Sequence, residues 1–87
     1  MTVTKKIVAQ KIFAYLNRKL SPERLVDWSE TVIMEGNIAE KDMDVLMSVL
    51  GRLGLSDVRS FGLTWEDCQE MMNQLGYSLQ VEMGEAA

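Results

Sequence analysis

Cys68 is the only thiol of the 87-residue chain, and there is no histidine. A thiol becomes a nucleophile or ligand only as thiolate, which needs a neighbouring base, a cation or an exposed polar setting. Cys68 instead falls between Trp65 and Met72 on an apolar helical stripe, so a buried, inert thiol is expected. Without imidazole, acid–base work would fall to Asp, Glu, Lys or Tyr with a displaced pKa. The acidic pairs Asp42/Asp44 and Glu66/Asp67 are two apart and adjacent, and such residues point in different directions on a helix. Their place in first helical turns has a simpler cause, the positive pole of the helix dipole. A calcium loop aligned on Gly36 would put Ile33 at a ligand position, and Ile33 has no oxygen to give. One cysteine and no histidine also exclude a disulfide framework and the usual zinc ligand sets. The expectation is a protein that is not an enzyme, with no catalytic residue, cofactor or metal.

Apolar residues make up 47% of the chain and charged residues 25%. That is ordinary globular usage, and 87 residues make one domain. No stretch approaches the ~20 apolar residues of a membrane span. The first apolar stretch is interrupted by Gln10 and Lys11, so no secretory signal is read there.

Helical periodicity dominates. Thr4 caps a first helix to about Arg18, with Val8, Ile12, Phe13, Tyr15 and Leu16 as its stripe. Ser21-Pro22 opens a second helix, with proline at the first position, where a missing N–H does no harm. Leu25, Trp28, Ser29, Val32 and Ile33 are its buried face, and Gly36 stops it. Asn37 and Glu40 read as the capping box of a third helix carrying Met43, Leu46, Met47, Leu50 and Leu53, ended by Gly54. Ser56 to Ser60 reads as one helical turn. Thr64 and Asp67 cap a last helix with Trp65, Cys68, Met71, Met72 and Leu75 inward, ended by Gly76. From Tyr77 to Met83 apolar and polar residues alternate, the period of a half-buried strand or extended tail. The fold expected is mainly α: an antiparallel bundle of about four helices over residues 1–87, with a short C-terminal strand or tail.

Charge is unevenly spread. Residues 1–24 hold six basic groups against Glu23, for +5; residues 25–59 hold three basic and seven acidic, for −4; residues 60–87 hold five acidic and none basic, for −5. Nucleic acid is a poor partner for the acidic two thirds. A helix-turn-helix reading of residues 56–75 meets the same difficulty. Its recognition helix would carry Glu66, Asp67 and Glu70 into the groove with no cation. A basic protein is the better match, because complementary potentials speed encounter. Opposite the core face of the second helix lie Glu23, Asp27, Glu30 and Met34. We take Asp27, Glu30, Met34 and Glu35 as the candidate partner-binding patch, an apolar anchor in a charged rim.

The run YLNRKLSPERLVDW, Tyr15 to Trp28, resembles the small helical immunity proteins that bacteria keep against their own colicin-like or contact-delivered toxins. The resemblance covers at most residues 7–34, together with size, acidity and helix content. It implies a cytoplasmic protein that binds a basic nuclease toxin and blocks its active site with acidic side chains. No position-specific motif of that family is present, so no residue role carries over. Two other readings stand beside a protein-binding module. One is a homo-oligomeric adaptor, a homodimer for instance, in which the basic first helix meets the acidic last helix of a second copy. The other is a helix-turn-helix DNA-binding regulator.

Overall fold

The computed structural model describes residues 2–78. Five helices follow one another: α1 (Lys5–Leu16), α2 (Pro22–Glu35), α3 (Met43–Leu53), the short α4 (Ser56–Phe61) and α5 (Trp65–Gln74). The fold is mainly helical, as the periodicity predicts. Three of the four long helices start at a side-chain cap. The Thr4 hydroxyl accepts from the Ile7 N–H and the Ser21 hydroxyl from the Arg24 N–H. Thr64 and Asp67 close a full capping box at α5, satisfying donors a helix cannot satisfy itself.

The expected cap at Asn37 does not form. Residues 40–42 make a single 3₁₀ turn, and α3 starts at Met43. Val3 forms a parallel bridge with Ile38 instead. The Val3 N–H donates to the Asn37 carbonyl at 2.7 Å, and Ala39 N–H donates to the Val3 carbonyl at 3.0 Å. Long-range backbone pairing thus takes the groups that a local cap would have used, and it buries Val3 and Ile38. The turn expected over Ser56 to Ser60 is the helix α4, which begins at Ser56 and follows Leu55 in the cap position. Of the strand expected over residues 77–83, Tyr77 and Ser78 have no regular structure, and the remainder lies outside the described residues.

Val8, Ile12, Leu25, Leu46, Val49, Leu50, Leu53, Cys68 and Met71 are wholly buried. They come from α1, α2, α3 and α5 and form one continuous core. Truncating such a leucine to alanine costs about 2–5 kcal/mol. One polar group sits among them. Ser29 is fully buried, and its hydroxyl donates to the Leu50 carbonyl at 2.6 Å, tying α2 to α3. Four residues expected inward are not: Phe13, Ile33, Met47 and Trp65 are all exposed. The apolar stripes are wider than the surface that neighbouring helices cover.

α4 packs beside α2, and the loop that follows it is held to α1. The Leu63 N–H donates to the Tyr15 hydroxyl at 2.8 Å, and that hydroxyl donates to the Leu63 carbonyl at 3.2 Å. Gly62, next in line, has φ 75° and ψ −165°, a conformation essentially restricted to glycine. A Cβ there would stand 2.6 Å from the Tyr15 oxygen.

Candidate functional site

Glu23, Asp27, Glu30 and Met34 recur at i, i+4, i+7 and i+11 along α2, so they share one face. Buried Leu25, Val26, Ser29 and Val32 take the other. All four stripe residues are exposed, as is Glu35 at the helix end. Met34 is 85% exposed, so it does not pack beneath the following loop. Asp27, Glu30 and Met34 therefore share one outward face, and Glu35 is exposed beside it at the helix end.

It contains a residue that the sequence does not reveal there. Arg59, from α4, lies over the carboxylates. Its Nη2 donates to Asp27 Oδ1 at 2.6 Å and comes within 4.0 Å of Glu30 Oε2. The hydrogen bond to Asp27 is the main cause that raises the Arg59 pKa, with smaller contributions from the charges of Asp27, Glu30 and Glu23. Asp27 and Glu30 are therefore not free carboxylates. Nor are they consumed. Their side chains remain 62% and 56% exposed, and exposed ion pairs are weak enough for a partner's cation to compete. Formal charges of Glu23, Asp27, Glu30 and Glu35 (−4) and of Arg59 (+1) leave the face at −3. Arg59 is 32 residues from Asp27 in the chain. Only the packing of a six-residue helix against α2 brings them together.

Three of the groups that could do chemistry, Asp42, Asp67 and Cys68, have structural roles, while Asp44 and Glu66 are exposed on their helices. The Asp67 carboxylate accepts from the Thr64 N–H and from Arg52 Nη2, both at 3.3 Å. Asp42 pairs with Lys5 at 3.6 Å. Burial pushes the Cys68 thiol up to about 11, with the neighbouring Asp67 charge adding to the effect. Among the described residues, no three His, Cys, Asp or Glu side chains gather closely enough to hold a metal ion. α4, the turn and α5 have the layout of a helix-turn-helix, but the exposed residues of α5 include Glu66, Gln69, Glu70, Asn73 and Gln74 and no cation. No helix among the described residues is long and apolar enough to cross a membrane. No protein-family model matches the chain, and neither the curated proteins nor the solved structures contain a match.

Proposed function

We propose that this chain is a non-enzymatic binding module whose acidic α2 face engages a basic protein, with neutralisation of a bacterial toxin as the concrete case. On this reading it works in the cytoplasm. The observation that carries the proposal is the α2 stripe: carboxylates at helical spacing, half exposed or more, ending on an 85% exposed methionine. Apolar anchors within polar rims are where binding energy concentrates, and long-range charge sets the rate of encounter. The Arg59 pair leaves the face at −3 and is exposed enough for a partner's cation to displace it.

The test uses the purified protein as bait in an extract of its host, followed by association kinetics with the captured protein. The expected partner is basic, dissociates as salt rises and loses most of its on-rate against Asp27→Lys/Glu30→Lys. That double change shifts the face from −3 to +1, since each reversal adds two charges. Unchanged kinetics in the variant, with its fold intact by circular dichroism, would remove this face from the function.

A further inference from the structure

An open cleft of about 640 Å³ lies at the turn between α1 and α2. That volume is within the ~300–1,000 Å³ of small-molecule sites. Its apolar wall is Leu16, Leu20 and Leu63, and its charged lining is Arg18, Lys19 and Arg24. Among the described residues, no carboxylate lines it. Of the six cations outside the cleft, three pair with carboxylates: Lys5 with Asp42, Arg52 with Asp67 and Glu70, and Arg59 with Asp27 and Glu30. Lys6, Lys11 and Lys41 lie apart from one another in the chain and line no cleft together. Among the described residues, Arg18, Lys19 and Arg24 enter no ion pair. Three cations without carboxylate partners therefore converge on one cavity. Glu23, between Pro22 and Arg24 in the chain, is not part of the cleft lining. Leu63 in the cleft wall is held by its two hydrogen bonds with Tyr15, so the wall is formed in advance.

The way Arg18 is held fits a role for its side chain. It has φ 60°, the only left-handed non-glycine residue described. Its N–H donates to the Tyr15 carbonyl, and the Lys19 N–H to the Ala14 carbonyl. This is a Schellman turn, in which the left-handed position normally belongs to glycine.

We propose that this cleft binds a phosphate monoester with an apolar body, the phosphate held by Arg18, Lys19 and Arg24 and the body by Leu16, Leu20 and Leu63. Guanidinium groups match phosphate oxygens in a bidentate fork, and a monoester carries more than one negative charge near neutral pH. A carboxylic acid would leave more of the cationic charge unbalanced. A free metabolite and a lipid headgroup share this chemistry. The binding does not depend on the α2 face having a protein partner.

Phenyl phosphate is the probe, followed by amide NMR shifts on the full chain. It should move the amides of Arg18, Lys19, Leu20, Arg24 and Leu63 and saturate. Inorganic phosphate should bind the same place about tenfold more weakly, since it lacks the body that buries apolar surface. Arg18→Gln/Arg24→Gln should weaken phenyl phosphate by tenfold or more, as expected for lost charge-assisted hydrogen bonds. Arg18→Gly should weaken it as well while melting no lower than the parent, so that unfolding cannot explain the loss. Sedimentation with phosphatidic acid vesicles but not phosphatidylcholine vesicles, abolished in the double variant, would assign the phosphate to a lipid. No sedimentation, with phenyl phosphate bound, would assign it to a free ester. Shifts spread over Lys6, Lys11 and Lys41 without saturation would overturn the proposal. So would equal affinity for inorganic phosphate, or a double variant that binds phenyl phosphate like the parent.

Discussion

α1 and α5 end in the same hydrogen-bonded turn. At the end of α1 the Arg18 N–H reaches the Tyr15 carbonyl and the Lys19 N–H the Ala14 carbonyl. At the end of α5 the Gly76 N–H reaches the Asn73 carbonyl and the Tyr77 N–H the Met72 carbonyl. The left-handed residue is Arg18 at φ 60° in one and Gly76 at φ 88° in the other. Glycine takes this conformation without penalty, whereas a residue with a Cβ loses about 1–2 kcal/mol. The backbone requirement is thus the same at both ends, and only α1 meets it with a strained residue. What α1 gains is a cation beside the cleft. A second contrast runs between the cations themselves: Arg59 is spent on Asp27 and Glu30, while Arg18 stands with Lys19 and Arg24.

The largest effect is expected where a left-handed glycine is also crowded. Gly62→Ala meets both an unfavourable backbone and the Tyr15 oxygen, and should destabilise by roughly 2–4 kcal/mol. Thermal unfolding should show Tm lower by at least about 8 °C. A shift of only a degree or two would mean that the Tyr15–Leu63 clasp is not rigid.

The packing of α5, the helix ended by glycine, has its own probe. Unfolded thiols ionise near pH 9 and folded Cys68 near 11. The folded state therefore binds the extra proton between these values. The stability from this group is complete below pH 9 and is lost as pH rises to about 11, on the order of 2 kcal/mol. Denaturant titrations at pH 8 and 11 should show the decline, and Cys68→Ala should flatten it. An equal slope in the variant would assign the decline to other groups.

The two helix ends are then exchanged in character. Arg18→Gly should raise stability by about 0.5–1 kcal/mol, and Gly76→Ala should lower it by about 1 kcal/mol. Among the described residues nothing lies within 4 Å of a Cβ at Gly76, so the second value reads the positive-φ backbone. If Arg18→Gly is the less stable protein, the arginine side chain holds the fold and the contrast with Gly76 fails.

The smallest effect on stability is expected at Arg59. Arg59→Ala removes an exposed pair and should leave Tm nearly unchanged. It takes the α2 face from −3 to −4, so a basic partner should associate severalfold faster at low salt. Slower association would place Arg59 itself in the contact.

Much of the fold was legible because its causes are local. Ser21-Pro22, Gly36, Thr64-Asp67 and Gly76 mark helix ends through hydrogen bonds and dihedral angles set within four residues. The apolar spacing of Leu46, Leu50 and Leu53 allows only one inward face. The carboxylate stripe of α2 was legible for the same reason, being a property of one helix. The cleft was not, although Arg18, Lys19 and Arg24 stand close together in the chain. Its far wall is Leu63, brought over by a hydrogen bond spanning 48 residues.

By itself, then, the sequence determined that the chain is helical, where most helices begin and end, the centre of each buried face, and the absence of any imidazole chemistry. Each of these depends on residue type and spacing along one segment. Tertiary structure alone decided that Val3 pairs with Ile38 in place of a cap at Asn37, that Arg59 neutralises part of the α2 face, and that Leu63 lines one cleft with three cations. Those contacts join residues more than 30 positions apart, and only the burial of the shared core fixes which distant groups meet.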